Sequence, residues 1–159
     1  MKKVNARELE AISWNSPKGT FGGYGFQISE ALGRQPQSTD LLLRHPFDVE
    51  ILHVPAGKIA YPFHSHGLQW EFYYVLSGSG EVRDDDGTTP VARGDAFLFK
   101  PGEAHQIANR TDDELVIVVV ADNPLNESTH YPDSDKWIVR SPERRVVRAS
   151  DDDYFAGEE

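Results

Sequence analysis

Cysteine is absent from the 159 residues, which excludes disulfides, thiolate metal ligands and a cysteine nucleophile together. Long hydrophobic runs are absent too. The longest, Leu115 to Ala121, has seven residues, against about 20 for a membrane helix. Positive charge is scarce, with 16 Lys plus Arg against 26 Asp plus Glu and a formal charge of −10. That balance repels phosphate backbones and argues against a nucleic-acid partner. After Met1, Lys2 and Lys3 come Arg7, Glu8 and Glu10, where a secretory leader needs an apolar stretch. A cytoplasmic location without membrane attachment is therefore the expectation. No internal repeat is present, and a chain of this length can bury one sizeable core.

The punctuation divides the chain into three parts. Residues 1–48 read as an irregular N-terminal arm, with Pro17, Gly19, Gly22, Gly23 and Gly25 set among Trp14, Phe21, Tyr24 and Phe26. Only residues 28–33 suggest a helical turn, ended by Gly33. Residues 49–121 read as an all-β core. Val49–Val54, Glu71–Leu76, Glu81–Arg83, Ala96–Phe99 and Leu115–Val120 are strand-like, and Asp86-Gly87 is a tight-turn signal. Short strands at such close spacing mean a sandwich or barrel. Residues 122–159 form an extension with Pro124, Pro132 and Pro142 and an acidic end around Asp151, Asp152 and Asp153. Within it, Trp137 and Ile138 suggest docking on the core.

Three histidines and one glutamate stand out. His64 and His66 are two apart, so on a strand they share a face with Cα atoms about 6–7 Å apart. A turn near Gly67 would return Glu71 beside them, on a face shared with Tyr73. His105 follows the Pro101-Gly102 turn. An isolated His-x-His is more often a surface or satisfied core pair than a metal site. His45, His53 and His130, by their loop, core-strand and tail positions, are not expected to bind metal.

The surrounding blocks change that weighing. His64, Ser65, His66, four residues, Glu71, six residues and Gly78 resemble the first signature motif of the cupin superfamily. Gly94, Gly102, His105 and Asn109 resemble the second. The departures touch turns: Gly57 lies one residue too far from His64, and Lys100 holds the usual proline position with Pro101 one step later. The resemblance implies a small antiparallel β-barrel of cupin or jelly-roll type, with one divalent transition metal ion held by His64, His66, Glu71 and His105. Such a nitrogen and oxygen donor set suits Zn, Fe, Mn, Co, Ni or Cu. It also implies a homodimer formed through the arms.

Around the ligands, Tyr73 and Glu103 are candidates for proton transfer, though a core tyrosine with a satisfied hydroxyl is the plainer reading of Tyr73. Lys100 could attract an anionic small-molecule ligand or simply be an exposed turn lysine. Trp70 and Phe63 are expected to pack away from the ligands, Phe97 and Phe99 to wall the pocket or core, and Asp84–Asp86 to form a solvated turn. The segment Tyr131 to Trp137 resembles tails of a cupin group described as sugar-phosphate-isomerase-like. The functional expectation is a metal-binding protein acting on a small polar substrate. An Fe-dependent dioxygenase and a non-catalytic binding module are the alternatives.

Overall fold

Alternation of inward apolar and outward side chains builds one large antiparallel sheet. The structure is a computed structural model and describes residues 1–36, 38–140, 143–151 and 154–156. Asp152, Asp153, Pro142 and the last three residues, where part of the acidic end was expected, lie outside the described residues. After a 3-10 turn at Ala6–Glu8 come strands β1 (Ile12–Asn15) and β2 (Gly22–Gln27), helix α1 (Ile28–Ala31) and helix α2 (Leu41–Arg44). Strands β3 (Phe47–Val54), β4 (Ser65–His66), β5 (Glu71–Ser77), β6 (Ser79–Arg83), β7 (Thr88–Ala92), β8 (Ala96–Phe99), β9 (Gln106–Ala108) and β10 (Leu115–Asp122) follow. The extension adds β11 (Ser128–Tyr131), a 3-10 turn at Pro132–Ser134, β12 (Lys136–Val139) and β13 (Arg145–Val147).

Six strands form the sheet β1-β2-β3-β10-β5-β8, and two smaller sheets, β13-β12-β11-β4 and β7-β6-β9, face it. The seam between them is made by isolated bridges, Ile59 to Ala108 and His64 to His105, rather than by a continuous ladder. The architecture is thus a cupin-type jelly roll, flattened towards a sandwich. Between the layers lie Leu52, Val54, Val75, Leu115 and Ile117, each 1% exposed or less. Burying each stabilises the fold by about 1.5–3 kcal/mol.

The N-terminal segment is more regular than its glycines suggest. β2 pairs with β3 and β1 with β2, so the arm extends the main sheet. Gly23 explains the composition: a Cβ there would stand 2.6 Å from the His53 carbonyl and 3.0 Å from the Trp14 ring. The glycine lets the indole lie against the sheet, where Trp14 Nε1 donates to the Ala60 carbonyl at 3.0 Å. β7 also escapes a sequence reading because Pro90 interrupts it. As an edge strand it tolerates the missing donor.

The hairpin between β6 and β7 follows the Asp-Gly signal. Asp84 Oδ1 accepts the amides of Asp86 and Gly87 at 2.9 and 3.0 Å. Gly78, between β5 and β6, has φ +78°, and a Cβ there would meet the Glu114 carbonyl at 2.3 Å. No helix among the described residues is long and apolar enough to cross a membrane.

Candidate metal centre and its cavity

His64 and His105 form a cross-strand pair: each amide donates to the other's carbonyl, at 3.1 and 2.8 Å. Side chains of such a pair leave the same face, and the two rings lie 4.6 Å apart. His66, two residues on, shares that face, with its ring 5.0 Å from His64. Glu71 arrives at the start of β5. One ligand atom from each of His64, His66, Glu71 and His105 lies within 4.8 Å of the others. The four residues expected to converge do so.

Outer partners orient each imidazole. His64 Nδ1 faces the Pro62 carbonyl at 2.8 Å and His105 Nδ1 the Glu103 carbonyl at 3.2 Å. At His64 the acceptor at Nδ1 fixes the proton there and leaves the Nε2 lone pair facing inward, whereas His105 Nε2 lies 2.9 Å from Glu71 Oε2. His66 Nδ1 looks at Glu127 Oε1, 3.5 Å away, and its Nε2 at Glu71 Oε2, 3.4 Å away. Both distances are long for a hydrogen bond, and neither buried nitrogen has a hydrogen-bond partner among the described residues. Transition-metal ions sit about 2.0–2.2 Å from nitrogen and oxygen ligands, so the tetrad needs only a small contraction to hold one. The orphaned Nε2 of His66 is the polar atom that such an ion would satisfy.

Glu127 was not legible as a site residue. It lies outside the motif blocks, in the extension, and is 5% exposed. Its carboxylate accepts the amides of Gly67 and Leu68 at 2.8 and 3.0 Å. It thereby clamps the turn after His66 while facing the imidazole. The same strand that follows it, β11, pairs with the ligand strand β4 through Thr129 and His66.

The charges are strongly coupled. Burial holds His64 down at about 4, aided by His105 and His66. Burial also disfavours charge on His66, but Glu127 and Glu71 outweigh it and hold that imidazole up at about 9. Burial would raise Glu71, yet the His105 hydrogen bond at 2.9 Å and the nearby His66 imidazole keep it well below the usual carboxylate range.

Tyr73 satisfies the plainer expectation and more. Its hydroxyl donates to Glu71 Oε2 at 2.7 Å and lies 3.2 Å from His105 Nε2. Phe97 stacks on its ring and Phe99 on the His105 ring, at 5.1 and 4.1 Å. Glu103 stands elsewhere: its carboxylate accepts the Lys100 amide at 2.8 Å in the turn, and it does not line the cavity. Lys100 is exposed beside it, also away from the cavity. Phe63 is buried beneath the Arg83 guanidinium, whereas Trp70 is 42% exposed. Of the other histidines, His53 pairs with Glu114 and His130 stacks on Trp137.

The tetrad opens on a cavity of about 280 Å³. Its lining includes residues that the sequence did not lead one to expect at the site: Asp48, Glu50, Tyr61, Tyr131, Gln69 and Arg140. Asp48 and Glu50 point inward because β3 presents Asp48, Glu50, Leu52 and Val54 on one face. Polar residues at the inward phase of a strand are the signal that could have exposed them. Arg140 is the one Lys or Arg in the lining among the described residues.

A cupin-domain family model matches residues 44–121. By family match and fold, residues 44–121 form a cupin domain. A cupin-superfamily structure from Silicibacter pomeroyi, described as a sugar phosphate isomerase, superposes with a TM-score of 0.78 at 24% identity, covering 92% of each chain. A candidate sugar phosphate isomerase from Acidithiobacillus ferrooxidans gives 0.77 at 22% identity, covering 94% of this chain and 97% of its own. At those identities the likeness is one of fold. An oxalate-binding protein from Thermotoga maritima is 36% identical over 59 residues, 36% of this chain. That match spans about half the length of the relative.

Proposed function

We propose that the chain is a metal-dependent isomerase acting on a small sugar phosphate. The observation that carries the reading is the cavity's two-sided chemistry. The metal-ligand tetrad occupies one wall, and Asp48 and Glu50 occupy the other. The volume, near the lower end of ligand pockets, suits a molecule of monosaccharide size. Carboxylates and the amides of Gln69 and Gln106 suit hydroxyl groups, and Arg140 suits a single terminal anion. The descriptions of the two structural relatives point the same way. A divalent ion held by the tetrad would supply Lewis-acid polarisation of a ligand oxygen. Tyr73 holds Glu71 in place, and Glu127 holds His66.

The similarity to an oxalate-binding protein favours a second reading, a binding module without turnover. Against it, oxalate has no hydroxyl groups to donate to Asp48 and Glu50. The test is interconversion of aldose and ketose phosphates, followed by NMR, after loading separately with Mn, Fe, Co, Ni and Zn. Interconversion supports the isomerase. Saturable oxalate binding without turnover replaces it with the module, and oxygen uptake with the Fe form replaces it with a dioxygenase.

The homodimer belongs to the same proposal, through the outward face of the main sheet rather than the arms. Phe72, Tyr74, Leu76 and Leu98 stand 39–48% exposed there. A second copy fits this face because it carries little charge on a chain of −10. Light scattering should give twice 17.8 kDa, and Tyr74→Glu should halve it. A monomeric parent would refute the pairing.

A further inference from the structure

We propose that Glu50 is the group that carries a carbon-bound proton in this cavity, taking it from one carbon of an α-hydroxy carbonyl ligand and returning it to the neighbouring carbon. The proposal rests on the isomerase reading.

Register places Glu50 for this task. Val119 of β10 sits opposite Glu50 on β3 and opposite Tyr73 on β5. Ala121 sits likewise between Asp48 and Glu71. Two rows therefore cross the sheet, each with an acidic residue at one end and the tetrad side at the other. Adjacent strands lie about 4.8 Å apart, so the end residues stand about 10 Å apart at Cα. The small side chains of Val119 and Ala121 floor the gap. A ligand held against the tetrad meets Glu50 from the opposite side.

The other candidates are committed elsewhere. Asp48 is ion-paired with Arg34 at 3.0 Å. The Tyr73 hydroxyl donates to Glu71, and Glu103 lies in an outer turn. Glu50 has one anchor: Gln27 Nε2 donates to its Oε2 at 2.6 Å. No hydrogen bond among the described residues holds its other oxygen. The groups facing it are Asp48 on its own strand, Glu30 on α1, Glu71 on β5, neutral Gln27 on β2 and Tyr61. Burial holds its carboxyl above the ordinary range, and the three carboxylates add to this against the Gln27 hydrogen bond. A carboxylate displaced towards neutrality both accepts and returns a proton readily.

The step balances without an oxidant. The Glu50 carboxylate takes the proton from C2 of an aldose, the C–H electron pair forms the C1–C2 double bond, and the carbonyl pair moves onto O1 to give an enediolate. Return of that proton to C1, with the O2 hydroxyl proton passing to O1, leaves the ketose.

The test compares the parent with Glu50→Gln and Gln27→Ala, each metal-loaded and checked by thermal melting. Glu50→Gln should keep its metal within twofold and lose about 10²–10⁴ in kcat, together with deuterium uptake from solvent at C2. In metal-free protein, the carbon-13 signal of the Glu50 carboxyl should titrate above the ordinary carboxylate range. Gln27→Ala should lose about tenfold in kcat and move the acidic limb of the pH–rate profile upward, because the anchor favours the charged form. A folded, loaded Glu50→Gln with kcat within threefold of the parent overturns the proposal and leaves the isomerase reading standing. An ordinary titration of Glu50 overturns it too. A parent that interconverts no sugar phosphate with any metal overturns the reading itself, and the proposal with it. Should Glu50→Gln fail to fold, the limb shift of Gln27→Ala decides.

Discussion

On one wall of the cavity, four donor atoms crowd within 4.8 Å, each imidazole backed by an oxygen on its far side. On the other wall, Asp48 and Glu50 ride a single strand, one tied to Arg34 and the other to Gln27. The first wall is over-determined: strand pairing, aromatic stacking and a buried carboxylate all fix its ring positions. The second is held lightly and keeps a free carboxylate oxygen. A site that must grip an ion needs the former, because a loose ligand set loses affinity steeply. A site that must accept and release protons or hydroxyl groups is better served by the latter.

The widest separation between the walls should come from a His64→Ala and His105→Ala double variant. It should retain no metal by elemental analysis, and metal at parental stoichiometry would dismantle the tetrad. Acidity should come next. His66, held up at about 9 without metal, must release its proton as an ion binds. His64, held at about 4, is already neutral. Metal affinity should therefore rise about tenfold per pH unit between about pH 6.5 and 8.5, measured by competition with a chelating dye. A flat profile would show that His66 carries no proton to displace.

Glu127→Gln should follow, weakening metal binding by about 10–100-fold and flattening that pH slope, with the fold intact by circular dichroism. An unchanged affinity would make Glu127 a turn clamp only. Smallest of all is the effect expected of Asp48→Asn, on the opposite wall. Its metal content should stay within twofold of the parent, and a larger loss would mean that the walls are not independent.

The metal wall was readable because its residues are rare types at telling spacings. The His-x-His step, Glu71 and His105 converge through alternation and one cross-strand pair. The turns at Gly78, Asp84–Gly87 and Gly102 were legible for similar local reasons. The acidic wall was not, since Asp48 and Glu50 are ordinary residues until β3 acquires a register. Glu127 was hidden by sequence distance: 61 positions separate it from His66, the ligand it faces across space. The N-terminal strands were masked by glycines that serve the Trp14 ring, and β7 by a proline that an edge position forgives.

The pairing of β11 with β4 has a consequence for how the protein is made. All four donors leave the ribosome before β11 exists, and the segment that steadies His66 comes later still than the cupin match at residues 44–121. The surroundings of His66 are therefore completed only when the C-terminal extension pairs with β4.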